Sequence, residues 1–152
     1  MQSSFDLDGR HWDSIQKNVH LSAARDTTIE FTPQGQTSKD WQEILTVQML
    51  TTKSAKHPIT AKDFEEQFEK QGEDKGQAPV TEVLSAKPNE SSFSWKSFPN
   101  GTKPAQFGVA HVMQEPGGLR VVQYASKQPL NSAQISKWHD LLNDAVLNSV
   151  AR

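Results

Sequence analysis

Apolar and polar residues alternate along much of this chain, and the alternation predicts β-strands. In the segment TIEFT, Ile29 and Phe31 alternate with polar neighbours, so one side of the strand is apolar and the other is polar. The sequence PQG that follows ends this strand, because proline lacks a backbone N–H and glycine tolerates a positive φ. A second strand begins at Ile44 after a short turn.

The same pattern predicts further strands on both sides of this segment. Asn100-Gly101 and the sequence EPGG at 115–118 are turn signals between them. The predicted strands are Gln16 to Ala23, Thr28 to Thr32, Ile44 to Leu50, Val80 to Ala86, Ser91 to Phe98, Gln106 to Gln114 and Leu119 to Ser126. Strands joined in series by tight turns favour an antiparallel sheet.

Two segments have helical spacing instead. Pro58 to Gln71 carries Phe64 and Phe68 four residues apart, with Thr60 as a capping residue. The final segment predicts a helix that begins at Asn131 or Ser132 and runs to about Ser149. Its apolar stripe consists of Ile135, Trp138, Leu142 and Ala145. We therefore expect an α+β fold, in which helices cover an antiparallel sheet of about six or seven strands.

The length of 152 residues predicts one domain, which spans residues 11–152 after a disordered segment at 1–10. A chain of this length buries roughly 70% of its unfolded surface and needs no disulfide to fold. It contains no cysteine, which excludes disulfides, thiolate metal sites and cysteine nucleophiles. Sixteen basic and eighteen acidic residues, without a dense basic run, argue against nucleic-acid binding. No apolar stretch is long enough to cross a membrane.

Two stretches carry a resemblance to known proteins, EFTPQGQTSKDWQEILTVQ and VVQYASKQPLNSAQISKWHDLLNDAV. They resemble small bacterial envelope or secreted proteins of unknown function, in which an "E-F/Y-x-P-x-G" piece precedes a Trp and an "I-T-V-Q" strand. Leu45 departs from that last motif. The layout is similar to the PsbP/Mog1/DcrB-like α/β/α sandwich. The resemblance implies that fold, a bacterial origin and export to the periplasm or outside the cell. Such proteins serve as binding, chaperone or accessory modules, so no catalytic residue carries over.

The chemistry-bearing residues point to no reaction. The five histidines are His11, His20, His57, His111 and His139, and no two have the close spacing of a zinc-binding pair. A nucleophile elbow and the glycine-rich phosphate loops are absent. We predict no catalytic residue, no cofactor and no metal. The alternative is a hydrolase that uses His111 or His139 with a nearby serine or aspartate, because such sites leave no linear motif.

The aromatic residues are the remaining candidates for function. Packing against the sheet is the more common role of tryptophan, and we expect Trp138 to anchor the last helix. The functional hypothesis is a partner groove formed by Phe93, Trp95, Trp41 and Tyr124. We therefore predict a non-enzymatic, exported bacterial module that binds a protein or an apolar partner. The alternative role is a cytoplasmic chaperone for a secreted effector. The sequence predicts no oligomeric state.

Overall fold

The computed structural model describes residues 4–19, 27–37, 39–51, 60–61, 64, 80–87, 89–99 and 104–143. The strands are β1 (Ser4–Leu7), β2 (Arg10–Val19), β3 (Thr27–Pro33), β4 (Glu43–Thr51), β5 (Val80–Lys87), β6 (Glu90–Ser97), β7 (Gln106–Glu115) and β8 (Gly118–Ser126). They are followed by the helix α1, which spans Ser132–Leu141.

All eight strands belong to one antiparallel sheet with the order β1-β2-β3-β4-β8-β7-β6-β5. Strands β1 to β4 form one meander and β5 to β8 form a second. The two meanders join where β4 pairs with β8, from Glu43 opposite Ser126 to Thr51 opposite Gly118. The described edges of the sheet are therefore β1 and β5.

The predicted fold class is wrong. The structure is mostly β: the described residues form eight strands rather than six or seven, and the one helix whose ends they include is short, so it is not an α+β sandwich with helices covering the sheet. Two local features explain the difference. An extra strand, β1, lies in the segment that we expected to be disordered. The helix α1 ends at Leu141, where the Asn143 N–H donates to the Asp140 carbonyl and tightens the last turn.

One side of the sheet, which we call the helix face, packs against α1. Its core crosses the sheet from β1 to β7 and includes the fully buried side chains of Trp12, Phe31 and Leu45. Trp138 of α1 is only 2% exposed and lies in the centre of this core. Its ring stacks on Tyr124 with centroids 3.7 Å apart and meets Trp12 edge-on at 5.9 Å. The predicted role of Trp138 as an anchor is confirmed.

The other side of the sheet, the opposite face, has a separate and smaller core. Phe93, Val112 and Val121 are fully buried there, and Ala61 packs against them. Ala61 and Phe64 have helical backbone, and the Phe64 N–H donates to the Thr60 carbonyl over 3.1 Å. The rest of the predicted helix Pro58 to Gln71 lies outside the described residues.

The chain segment that precedes β3 differs most from the prediction. Residues 1–10 were expected to be disordered, but Ser4–Leu7 form β1, with Phe5 and Leu7 buried in the helix-face core. The turn to β2 is Asp8-Gly9, and both residues have positive φ angles, as a tight hairpin requires. Strand β2 consequently begins at Arg10, whereas the prediction placed it from Gln16 to Ala23. Residues 20–26 lie outside the described part of the chain.

Candidate functional site

A cleft opens on the helix face between the start of α1 and the strands β5, β6 and β7. Its volume is about 220 Å³. Two segments distant in sequence form it, the edge strand β5 on one side and the residues around the N-terminus of α1 on the other. The lining residues are Val80, Thr81, Glu82, Ser94, Trp95, Lys96, Phe107, Gly108, Leu130 and Ile135.

The register of the sheet brings the strand residues of the cleft together. Lys96 of β6 lies opposite Val80 of β5 and opposite Phe107 of β7, so the three form one row across the strands. Glu82 and Ser94 lie opposite each other in the next row on the same face. Because residues opposite each other in an antiparallel sheet point to the same side, these rows form the floor and the outer rim of the cleft.

The helical side of the cleft is held by a capping box. The Asn131 side chain accepts from the Gln134 N–H over 2.8 Å, and the Gln134 side chain accepts from the Asn131 N–H over 2.9 Å. Both bonds satisfy N–H groups that the first turn of a helix otherwise leaves without partners. Leu130 and Ile135 flank this box and pack against the helix-face core. Their position relative to the sheet is thereby fixed.

The cleft combines an apolar floor with charges at its rim. Phe107, Leu130 and Ile135 are partly buried. Val80 on the edge strand is 49% exposed, so it adds apolar surface that is open to solvent at the cleft. Glu82 and Lys96 are exposed and supply one negative and one positive charge. The cleft therefore suits a ligand with one apolar group, which contacts the floor, and polar groups beside it, which contact the charges at the rim.

Gly108 keeps this corner of the sheet close-packed. A Cβ atom added there would lie 2.5 Å from the Trp95 ring and 2.5 Å from the Tyr124 carbonyl oxygen. Any larger residue would displace Trp95, whose ring packs against the core of the opposite face. Glycine at this position therefore lets the two faces pack tightly on either side of β7.

A serine–histidine contact lies one step along the same groove. Ser92 is two residues from Ser94 on β6, and His139 is one helical turn beyond Ile135 on α1. The distance from Ser92 Oγ to His139 Nε2 is 2.8 Å, and Ser92 Oγ also contacts Ser85 Oγ. A chain in which Ser85 donates to Ser92 and Ser92 donates to His139 satisfies all three groups.

This contact has the distance of a catalytic dyad but not its surroundings. Ser92 is fully buried, so a substrate has no path to its hydroxyl. Within the described residues, no carboxylate hydrogen-bonds to the other ring nitrogen of His139, which a triad needs to orient the imidazole. The arrangement instead fastens the C-terminal half of α1 to β6.

His111 of β7 is a buried histidine that lies near the end of α1. Its Nε2 lies 3.3 Å from Glu90 Oε2, and its side chain is almost completely buried. Burial lowers the pKa of His111, while the Glu90 carboxylate and a hydrogen bond to the Leu142 backbone offset part of that change and His139 adds to it. A hydrogen bond from Lys87 is the main reason why the pKa of Glu90 is lowered.

A charged network occupies the other side of the helix face. Arg10 donates from Nη1 to Glu43 Oε2 over 2.6 Å and from Nη2 to Asp8 Oδ2 over 2.7 Å. Glu43 also accepts from the Tyr124 hydroxyl over 2.7 Å. Asp8 accepts in addition from Trp12 Nε1, and Lys137 Nζ lies 3.2 Å from it. The network connects the β1–β2 turn with β4 and β8, and Lys137 adds a link to α1.

The pKa values of this network follow from its contacts. Burial alone would raise the pKa of Asp8 and of Glu43, but the hydrogen bonds from Arg10 and their other donors outweigh burial and lower both. The hydrogen bond to Glu43 raises the pKa of Arg10, and burial together with Glu43 raises that of Tyr124. All four groups keep their usual charge states at neutral pH and hold one another in place.

The four residues of the predicted partner groove are placed on different surfaces. Phe93 is fully buried on the opposite face, and Trp95 lies partly buried beside it. Tyr124 is buried on the helix face under Trp138. Trp41 lies partly exposed before β4, with Lys127 Nζ 4.3 Å from its ring centroid. Only Trp95 contributes to the cleft, and the predicted partner role of the four stays a prediction.

Most of the cleft residues escaped the sequence analysis. Val80 and Glu82 looked like ordinary members of an alternating strand, because nothing local shows that β5 lies at an edge. Ile135 was identified as part of an apolar stripe, and His139 was named only as a candidate for the alternative hydrolase. The four-residue spacing of Ile135 and His139 was the available signal that both face one groove.

Neither a protein-family model, a curated protein nor a solved structure matches this chain. Within the described segments, no three histidine or carboxylate side chains come together in a way that could hold a metal ion. Of the helices described here, none is both long and apolar enough to cross a membrane. The site must therefore be interpreted from its own geometry.

Proposed function

We propose that this protein is a non-enzymatic binding module that holds an apolar side chain of a partner protein in the cleft beside α1. The observation that carries the proposal is the combination of an apolar floor, half-exposed Val80 and two rim charges around one opening. Concave apolar sites with a few polar groups are the usual form of a binding site.

The size of the cleft supports a side chain rather than a cofactor as its occupant. Sites for drug-sized ligands typically measure about 300–1,000 Å³, and this cleft of about 220 Å³ is smaller. It accommodates a leucine, methionine or phenylalanine side chain. Large apolar side chains that fill such pockets often supply most of the affinity of a protein interface.

Its position at the sheet edge supports a protein as the partner. Among the described strands, none pairs with the outer side of β5, so a polypeptide can approach the cleft across that strand. Glu82 and Lys96 at the rim can then pair with charged or backbone groups of the partner. Such rim charges fix orientation and association rate more than affinity.

Hydrolysis is the second candidate, and the contact between Ser92 and His139 is the observation that favours it. The burial of Ser92 counts against it, because a nucleophile must reach its substrate. Turnover of generic ester or peptide substrates that is lost in both Ser92→Ala and His139→Gln would replace the binding proposal.

The binding proposal is tested with methyl-labelled protein and short peptides that carry one central leucine in a polar sequence. We expect saturable NMR shifts at the Ile135 and Val80 methyl groups. The same peptides with a central serine should cause no shift. Val80→Lys should weaken binding by about tenfold or more, because it puts a charge at the mouth of the cleft.

Val83→Lys is the matched control. Val83 is 52% exposed on the same strand, but it lies opposite Phe93 and therefore points to the opposite face. Its substitution should leave the peptide affinity within about twofold of the original value, since surface changes away from an anchor have small effects. An equal loss in both variants, or no saturable shift with any peptide, would refute the cleft as the binding site.

Where the protein acts remains a proposal from the sequence resemblance, namely the periplasm or the exterior of a bacterial cell. The near-neutral net charge of −2 fits a partner other than nucleic acid. Fractionation of cells that express the natural gene tests the location, and recovery in the cytoplasm alone would favour the chaperone alternative.

A further inference from the structure

We propose that two copies of this chain associate through β5, in an antiparallel arrangement that extends the sheet across a twofold axis. The axis passes between Leu84 and Ser85. Glu82 of each copy then lies opposite Lys87 of the other, and Val83 lies opposite Ala86. This surface shares Glu82 with the rim of the cleft, whereas Val80 at the mouth of the cleft falls outside the paired stretch.

Strand β5 lies at an edge of the sheet and exposes apolar surface there. Val83 is 52% exposed, and Ala86 is exposed on the same face. Of the strands described, β6 alone pairs with β5. The backbone on the outer side of an edge strand is a template for another strand, which proteins either protect or use.

The charges on β5 select a second copy over an arbitrary strand. Glu82 and Lys87 are both exposed, with opposite signs near the two ends of the strand. In the proposed register each carboxylate faces an ammonium group, so two equivalent cross-strand ion pairs form around the axis. Opposite charges placed directly across an antiparallel pair stabilise it, and like charges destabilise it.

A β-bulge makes this register consistent with the faces of the sheet. Residues directly opposite each other in an antiparallel pair must point to the same face, but Glu82 and Lys87 are an odd number of residues apart. The register shift between Val83 and Ser85 inserts Leu84 and corrects the parity. Glu82 and Lys87, opposite Ser94 and Glu90, both point to the helix face, whereas Val83 and Ala86, opposite Phe93 and Ser91, both point away.

The contact is small, so the dimer is weak. It pairs six residues of each copy and covers Val83 with Ala86. The surface area buried in this way is well below the roughly 1,200 Å² of a stable interface. We therefore expect an equilibrium between monomer and dimer at high protein concentration rather than a permanent dimer. Lys87 also contacts Glu90 of its own chain, at 3.2 Å between Nζ and Oε1, so its ammonium group is shared between that contact and the proposed ion pair.

Sedimentation equilibrium of the whole chain and of two charge variants tests the proposal. The unchanged chain should show reversible dimerisation. Glu82→Lys alone and Lys87→Glu alone should each dimerise at least about tenfold more weakly, because both ion pairs become repulsive. An equimolar mixture of the two variants should recover the original affinity, since each lysine then faces a glutamate of the other chain.

Engineered cysteines give a second, independent measurement, because the chain has none of its own. In a mixture of Val83→Cys and Ala86→Cys chains, mild oxidation should produce mainly the mixed disulfide. A chain that stays monomeric at all concentrations would overturn the proposal. The charges and the bulge of β5 would then serve to protect the edge from pairing with another strand. Self-association of both charge variants that is as strong as that of the unchanged chain would overturn the register. Both readouts are independent of peptide binding, so this proposal and the cleft can fail separately.

Discussion

The two sides of the helix face hold polar groups in contrasting ways. On the side of β1, β2 and β4, the carboxylates of Asp8 and Glu43 are ionised and bonded to Arg10. On the side of β5 to β7, which we call the neutral side, the inner contact joins the Ser92 hydroxyl to His139, and the charges of Lys87 and Glu90 pair at the rim. The neutral side borders the cleft.

The difference follows from what burial demands of each kind of group. A partly buried charge is costly unless its partners occupy all of its bonding positions. The charged side is therefore locked into one geometry, which makes it a rigid support. Hydroxyl and imidazole groups need fewer partners, so the sheet can leave a cavity beside them. The charged network and the proposed binding cleft thus lie on different halves of one surface.

The largest loss of unfolding free energy should follow a substitution in the aromatic stack that lies between the two sides. Trp138→Ala removes a fully packed indole between Tyr124 and Trp12, and we expect a loss of about 3–5 kcal/mol in the free energy of unfolding. Urea denaturation at neutral pH measures it. Trp41→Ala is the control, because that ring is partly exposed and its main contact is Lys127, worth about 0.5–1 kcal/mol. A loss below about 1 kcal/mol for Trp138→Ala would mean that α1 is not anchored there.

The next largest effect should be a difference in lost unfolding free energy between a substitution on the charged side and one on the neutral side. Glu43→Gln leaves Arg10 and Tyr124 with a weaker acceptor, and we expect a cost of about 1–3 kcal/mol, reduced by the 36% exposure of the Arg10 side chain. Ser92→Ala removes a neutral hydrogen bond and should cost about 1 kcal/mol. Adding 1 M salt should shrink the first loss only, because salt screens ion pairs. If salt reduced the stability losses of Glu43→Gln and Ser92→Ala equally, the two sides would not differ in how they hold polar groups.

The smallest effect should be the change in unfolding free energy with pH that His111, on the neutral side, contributes. The pKa of His111 is lowered from 6.5 in the folded chain by burial, so the unfolded chain binds a proton first as the pH falls. The stability that His111 contributes is present above pH 6.5 and is lost as the pH falls through its folded pKa. His111→Gln should therefore flatten the decline of unfolding free energy between about pH 7 and 5.5.

His11 provides a control of opposite sign. Its hydrogen bond to Asp6 is the main reason why its pKa is raised above 6.5. It stabilises the folded chain at low pH and loses that contribution as the pH rises through its folded pKa. His11→Gln should make the decline on acidification steeper, whereas His111→Gln makes it shallower. The carboxylates with lowered pKa values act below pH 4.5, outside this window.

The elements that sequence reasoning located best are those with local signals. Strands β3 to β8 and the start of α1 lie within about two residues of the predictions, because alternation, turn residues and the Asn131 cap depend on near neighbours. Strand β1 was missed because the first ten residues are few and mostly polar, so Asp8-Gly9 was not recognised as a hairpin turn. The number of strands was wrong for that reason, whereas the fold class was wrong because the described residues are mostly β with one short helix.

The cleft could not be derived in this way, because it depends on contacts between distant residues. It requires β5 at the edge and the start of α1 above β7, and neither fact is encoded within one segment. The contact of Ser92 with His139 joins residues 47 positions apart. The sequence analysis considered a histidine with a nearby serine, but only the register of β6 against α1 shows which pair meets.

The order of strands also has a consequence for how this chain folds. Within each meander every strand pairs with its neighbour in sequence, so hairpins can form rapidly and independently in both halves. The one ladder that joins the halves, β4 with β8, pairs residues as distant as Glu43 and Ser126. The entropy of closing that long loop is concentrated in this single step. We therefore expect the docking of β8 on β4 to form the folding barrier, with the rest of the sheet assembling on either side of it.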